Sequence, residues 1–326
     1  MLFLKHNITD PYFNIAAEEY YQRNTHNEYF LLYVNDPSVI IGKHQNAYAE
    51  INYPFVKGNN IKVVRRISGG GAVWHDHGNL NFTFIKNGSE GELVNFRKYM
   101  QPVIDFLIKL GLNAVFQGKN AIEVDSYKIS GNAEHIYKNR VLHHGTLLFN
   151  TDINSLEQAL KTDPQKYLDK SVKSIRAKTG NISDLLKSQM TIKEFEESFI
   201  NYMMAFQPDS IISEMEYSEI QKIKLLAENK YMTWDWNFGY SPSYQFYNKQ
   251  FITGSDIEII LQAKKSRIAK IKISGKLLDL PLQEKLESAL VGQKHEEKSI
   301  SGILEKIGLN SISDKISPSG LAALFF

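Results

Sequence analysis

Residues 65–76 read Arg65-Arg66-Ile67-Ser68-Gly69-Gly70-Gly71-Ala72-Val73-Trp74-His75-Asp76, and the reading of the chain starts there. The flanking runs KVVRRIS and AVWHD have strand composition. Three consecutive glycines between strands add nothing to a core and cost conformational entropy. What they supply is bare backbone, and successive N–H groups in such a turn form a concavity that binds anions. Arg66 adds a planar fork suited to phosphate or carboxylate. The spacings of a Walker loop and of a dinucleotide fingerprint are both absent. A flexible hairpin turn is the competing reading of the glycines alone. The two arginines before them and the His-Asp pair after them weigh toward a ligand.

Two further segments carry chemistry. Asp125-Ser126-Tyr127-Lys128-Ile129-Ser130-Gly131-Asn132-Ala133 sets a lone lysine in a strand, with small residues after it that leave room for a ligand. The plain alternative is a solvated lysine on an edge strand. In Leu142-His143-His144-Gly145-Thr146-Leu147-Leu148-Phe149 the adjacent histidines of a strand point to opposite faces, so they do not chelate one metal together. The metalloprotease helix pattern and any Cys-His zinc spacing are missing, and no metal ligand is assigned.

Composition bounds the rest. The chain has 326 residues and no cysteine, with 38 basic and 36 acidic side chains for a net charge of +2. Disulfides, thiolate metal clusters and cysteine nucleophiles are excluded. Near-neutral charge argues against bulk electrostatic binding to nucleic acid or membrane. A chain this long buries about three quarters of its unfolded surface, and its length suggests roughly two domains. Lys5 and Asp10 interrupt the apolar stretch a signal peptide needs, and no run of about 18 apolar residues is present to span a membrane. A cytoplasmic protein is expected.

Working along the chain, residues 2–5 read as a strand, and Thr9-Asp10-Pro11 open a helix to about Arg23. Residues 29–34 and 38–42 read as strands, and 47–57 as one short helix. In NLNFTFI, Leu80, Phe82 and Phe84 alternate with Asn81, Thr83 and Ile85, as in a half-buried strand. A helix over 95–110 stops at Gly111, and strands follow near 113–117, 121–124, 127–131 and 141–149. The chain to about 230 reads as mainly helical, with capping-box spacing at Thr191/Glu194 and Ser218/Gln221. Residues 233–244 look like a domain edge and linker, 248–275 like a β-ribbon, and 281–291 and 298–308 like helices. The expected division is 1–243 and 244–326.

The three chemical segments, RRxSGGGAVxHDxGN, KISGNA and HHGTLLF, in this order and spacing, resemble the lipoate–protein ligases. The likeness extends over nearly the whole chain. It takes in Asn14 to Glu19, Pro37 to Gly42, Thr233 to Asn237 and the C-terminal region. The resemblance implies an α/β (α+β) mixed-sheet catalytic domain of the biotin/lipoate ligase type with a small α/β accessory domain at its C-terminus. It implies activation of lipoate with ATP and Mg2+ to lipoyl-AMP, then transfer of the lipoyl group to one lysine of an apo carrier domain. Carriers would be acyltransferase subunits of 2-oxoacid dehydrogenases and the glycine-cleavage H protein. A monomer is expected.

By the same resemblance Lys128 is the catalytic cation. It would sit between two anions, the attacking carboxylate and the α-phosphate, and stabilise charge on the phosphoryl oxygens. Arg66 and the segment Gly71, Ala72, Val73 and Trp74 would hold the adenylate. Ser68, Gly69, Gly70 and His75 would line the lipoyl and acyl-phosphate region. Tyr33 is read two ways, as an aromatic wall for the dithiolane tail or as a core aromatic. Lack of cysteine separates the chain from acyltransferases of this fold that use a thioester. One departure stands out. The family's Gly-Arg-Asn-Asp run is here Gly118-Lys119-Asn120-Ala121, so a carboxylate is missing, with Glu123 and Asp125 as candidate substitutes. The alternative function is therefore a transferase that uses only preformed lipoyl-AMP. A non-catalytic lipoyl-binding module and a biotin ligase are further alternatives. The basic stretch Lys264 to Lys272 reads as a solvated ribbon face, or as a surface steering ATP or an acidic carrier.

Overall fold

A computed structural model of the chain describes residues 1–88, 93–252, 254–309 and 316–326; Thr253, inside the expected ribbon, lies outside the described residues. By contact the chain divides into two compact units. The first comprises Met1–Lys43, Asn60–Leu160 and Ser174–Thr233; the second comprises His44–Asn59, Lys161–Lys173 and Trp234–Phe326.

The first unit is mixed α/β. Its strands in chain order are β1 (Leu2–Lys5), β2 (Tyr29–Val34), β3 (Ser38–Ile41), β4 (Lys62–Arg65), β5 (Val73–His75) and β6 (Asn79–Asn87). They continue as β7 (Ala114–Gln117), β8 (Ala121–Val124), β9 (Tyr127–Tyr137) and β10 (Arg140–Leu148); after β11 (Tyr167–Asp169), which belongs to the second unit, comes β12 (Ile211–Ser213). Eight form one sheet in the order β12-β1-β2-β6-β10-β9-β8-β7, and three form a small sheet, β4-β3-β5. β1 runs parallel to β2 and β12, while β6 is antiparallel to β2 and β10.

Position in this sheet corrects one expectation. Residues 79–85 of β6 are buried on both faces, polar Asn79, Asn81 and Thr83 included, because β6 is central. Alternation there separates the apolar core on one face from polar side chains on the other. The helix α1 (Pro11–Asn24) starts as expected: Asp10 accepts from the Tyr12 and Phe13 amides. Its Glu18 and Glu19 are both buried. Glu19 accepts from the Tyr231 hydroxyl and from Lys230, each at 2.6 Å. The helix at Phe96–Lys109 is capped by Asn95 and packs Val103, Phe106 and Leu107 into the main core.

Three other local expectations shift. The capping box at Thr191/Glu194 is present, but the second lies at Glu216/Glu219, two residues before the expected pair. Residues 161–180 contain no helix. The helix expected over 47–57 is two pieces, Ala47–Glu50 and Tyr53–Gly58, since Asn52 caps a fresh start with Pro54 in its first turn.

The second unit is a four-stranded antiparallel sheet with helices. It contains β11 (Tyr167–Asp169), β13 (Tyr244–Ile252), β14 (Ser255–Lys264) and β15 (Arg267–Gly275), in the order β11-β13-β14-β15. Its inner face, with Phe246, Ile259, Leu261 and Ile268, meets Leu286 and Leu290 of the helix Leu280–Leu290 and Leu304 of the helix Glu297–Ile307. Tyr48 joins that core, and its hydroxyl donates to the His295 carbonyl. In the basic stretch Ile268 is buried while Lys264, Lys265, Arg267, Lys270 and Lys272 are exposed; Lys272 pairs with Glu287 at 3.3 Å.

Candidate active site

The small sheet presents the glycine loop. β3 runs parallel to β4 and antiparallel to β5, so Arg66 to Ala72 must return the chain from one side of β3 to the other. Gly70 makes this possible with a left-handed φ of 90°. Close approach also requires Gly42, where a Cβ would lie 2.0 Å from the Gly70 carbonyl oxygen.

Arg66 is 5% exposed and holds the loop from within. Its Nη1 donates to the Ile40 carbonyl at 3.0 Å, its Nη2 to those of Gly69 and Gly71 at 2.6 and 2.7 Å, and its Nε to Ser68 Oγ at 3.0 Å. Burial draws the guanidinium down to about 10, so it stays charged at neutral pH. Arg66 is therefore the brace of the loop. The Ala72 amide donates to Ser174 Oγ at 2.8 Å, which fixes the loop's exit. Val73 is half-buried in β5. Trp74 is buried, its Nε1 donating to Asp76 Oδ2 at 2.9 Å.

Ser68 begins a relay. Its Oγ lies 2.6 Å from His144 Nε2, and His144 Nδ1 lies 2.8 Å from Glu18 Oε2. Glu18 Oε1 accepts from Thr83 at 2.5 Å and from the Tyr33 hydroxyl at 2.9 Å. Burial alone would raise Glu18, but the His144 charge and the hydrogen bonds from His144, Thr83 and Tyr33 outweigh it and hold the carboxyl below its ordinary range. A carboxylate at Oε2 fixes the His144 proton on Nδ1. Nε2 is thereby turned toward Ser68 Oγ, with which it shares a hydrogen bond. Tyr33 is buried at 3% exposure, and its hydroxyl belongs to this network.

His75 is the second oriented imidazole. Asn14 Nδ2 donates to Asn35 Oδ1 at 2.8 Å, which turns the Asn35 amide nitrogen toward His75 Nδ1, also 2.8 Å away. Nδ1 therefore accepts and Nε2 carries the proton. Burial, with Arg66 and His144 nearby, pulls His75 down to about 3, so it is neutral at physiological pH.

Lys128 stands in β9, half-buried rather than a solvated edge lysine. Its amide donates to the Lys178 carbonyl at 2.8 Å, and its own carbonyl accepts from Gly180 at 3.2 Å. The small residues after it leave the expected space: a Cβ on Gly131 would already touch Lys128 Cε and Nζ at 3.4 Å. Burial lowers the ammonium's pKa, Glu123 opposes that, and Arg66 adds to it. A Cβ on Gly70 would lie 4.0 Å from Ala133 Cβ, so the glycine loop reaches over β9. Loop, relay and lysine thus meet beside one face of the large sheet. His143 points to the opposite face, between Glu134 at 2.9 Å and Asn132 at 3.2 Å, as the two-residue period requires.

Sequence reading missed Glu18, Thr83, Asn35 and Ser174. Two adjacent acids directly after the apolar run Ile15-Ala16-Ala17 were the available signal for Glu18. Among the described residues no group of three or more His, Asp or Glu side chains could hold a metal ion, and no helix is long and apolar enough to cross a membrane.

The family described as "Lipoyl protein ligase A/B catalytic domain" matches residues 10–204, and "Bacterial lipoate protein ligase C-terminus" matches residues 241–325. The lipoate-protein ligase LplJ of Bacillus subtilis is 40% identical over 334 residues, covering 100% of both chains. Lipoate–protein ligase 1 of Staphylococcus aureus is 39% identical over 312 residues, covering 93% of each. Among solved structures, P. falciparum LipL1 in complex with lipoate aligns with a TM-score of 0.63 and 26% identity, covering 96% of this chain and 97% of its own. A lipoate-protein ligase A bound with ATP gives 0.63 and 26% over 73% of this chain and 98% of its own. The chain belongs to the lipoate–protein ligase family. It is an enzyme, with that family's ATP-dependent activation of lipoate and transfer of the lipoyl group to protein.

Proposed function

We propose that the chain carries out both half-reactions at one site, with Lys128 as the shared cation. In the first, the lipoate carboxylate attacks the α-phosphate of ATP; a C–O–P link forms and pyrophosphate leaves. Lys128 reduces the repulsion between the two anions and stabilises the charge gathering on the phosphoryl oxygens. In the second, a carrier lysine amine attacks the acyl carbonyl, the amide forms, and AMP leaves with the electron pair of the broken C–O bond. Arg66 holds the glycine loop in shape, and the segment Gly71 to Trp74 receives the adenylate. Ser68, Gly69, Gly70 and His75 line the acyl-phosphate region, and Tyr33 lies beside the lipoyl end.

The observation that carries this reading is the loop's construction: a buried arginine spends its donors on the Gly69 and Gly71 carbonyls beside the half-buried Lys128. Magnesium enters as part of the nucleotide substrate. It is held there by phosphate oxygens and retained waters, with one or two protein carboxylates. The carriers are apo lipoyl domains of 2-oxoacid dehydrogenase acyltransferase subunits and the glycine-cleavage H protein. A related archaeal ligase has been solved in work on its E2 lipoyl domain, which supports that class of partner. The enzyme acts as a cytoplasmic monomer, the first unit bearing catalysis and the second the accessory role.

The test is pyrophosphate release by the purified protein with lipoate, ATP and magnesium and no carrier, beside a second reaction with preformed lipoyl-AMP and an apo carrier, scored by intact mass. Activity in both is expected. Transfer without pyrophosphate release would establish the lipoyl-AMP-dependent transferase, a reading not favoured by relatives that are themselves ligases.

A further inference from the structure

β8 offers two side chains to the face that carries Lys128, Ala121 and Glu123, because Ile122 and Val124 are buried in the core behind it. In a regular antiparallel ladder, the pairs Ala121–Gly131 and Ile122–Ser130 would set Glu123 opposite Ile129. They do not. The register shifts between Ile122 and Glu123, so that Glu123 faces Lys128 and Val124 faces Tyr127. A bulge of this kind re-aims a side chain. The turn that closes the hairpin is built at a cost as well: Asp125 and Ser126 both adopt left-handed backbone, at φ of 49° and 69°, without glycine. Asp125 is exposed in that turn, outside the paired ladder that sets Glu123 opposite Lys128.

We propose that Glu123 is a positioning residue for Lys128, its carboxylate, set opposite on the neighbouring strand, keeping the ammonium charged until the anionic substrates arrive. The inference rests on Lys128 being the cation of the reaction. The charged groups that act on Lys128 are few. Arg66, from the glycine loop, repels it, and burial disfavours its charge; Glu123 is the opposing carboxylate. Lys178, on the segment that pairs with β9, presents only its carbonyl, since its ammonium sits over the Tyr127 ring at 4.1 Å. Gln117 Nε2 donates to Glu123 Oε2 at 3.3 Å and steadies the carboxylate. Without Glu123, burial and the Arg66 charge would be unopposed and would shift Lys128 further toward its neutral form, which cannot offset phosphate charge.

The test uses full-length wild type, E123Q and E123D. Lysines are reductively 13C-methylated, K128R identifies the Lys128 resonance, and its titration is followed by NMR without substrates. Pyrophosphate release against pH is measured on unmethylated protein. The expected E123Q midpoint falls by about one pH unit, and the alkaline limb of the rate moves by the same amount. That makes E123Q about fivefold slower at the pH where wild type is half-maximal, with E123D restoring most of the loss. An unmoved Lys128 midpoint, or a rate loss equal at every pH, overturns the proposal. A shifted midpoint in a protein that releases no pyrophosphate leaves the pairing standing and removes the ligase chemistry instead.

Discussion

The Gly70 carbonyl oxygen lies 2.0 Å from the place a Cβ would take on Gly42. Two backbones separated by 28 positions in sequence are thus in direct contact, and the loop that carries the chemistry rests on β3. Gly42→Ala has no flexible side chain to push aside. It should displace the loop and destabilise the chain by about 1–3 kcal/mol. Urea denaturation measures the stability, and pyrophosphate release should fall in the same variant. Unchanged values of both would show that the loop finds another seat.

Lys128→Ala separates chemistry from folding. Removing one such electrostatic contact typically costs about 100- to 1000-fold in rate. The ammonium is already disfavoured by burial, so its loss should leave the melting temperature close to wild type. Near-normal lipoylation by a folded Lys128→Ala protein would falsify the assignment.

Glu18 links two properties. Its folded-state pKa is depressed, so its contribution to stability is complete above the ordinary glutamate range and is lost as pH falls through the folded value. Glu18→Ala leaves the His144, Tyr33 and Thr83 donors without their buried acceptor. The expected cost at pH 7 is about 3 kcal/mol or more. The difference between wild type and variant should narrow below pH 4, which denaturation series at two pH values would reveal.

His75 supplies a pH dependence in a different window. Its folded pKa of about 3 lies below its ordinary 6.5, so acidification protonates the unfolded chain first. Stability from this group is lost as pH falls from 6.5 toward 3, and is intact above 6.5. His295, drawn to about 4 by burial, acts in the same direction. His75→Gln should therefore lose less stability between pH 7.5 and pH 5 than wild type does. An equal loss would assign the acid sensitivity to the other buried histidines.

Sequence made the glycine loop, Lys128 and the divergence of His143 from His144 legible, because each depends on local backbone rules. The relay was not legible. Glu18, Ser68 and His144 come from three distant stretches, and only the stacking of α1 on a sheet whose centre is β6 and β10 brings them within hydrogen-bonding range. The buried polar face of β6 was misread for the same reason: alternation looks identical whether the polar face meets water or a buried carboxylate. The departure at Ala121 was visible, but the register shift that sets Glu123 opposite Lys128 was not.

The second unit takes its strands and helices from three separate lengths of chain: His44–Asn59, Lys161–Lys173 and Trp234–Phe326. β11 is hydrogen-bonded along β13, and Tyr48 and Tyr167 complete its core. A protease that cut the backbone near residue 243 would therefore nick the molecule without shedding a finished domain. A gene fragment that began at that point would encode a sheet lacking its outer strand. Grafting this unit onto another protein would require three splice points, so its inheritance is tied to that of the catalytic unit through which it is threaded.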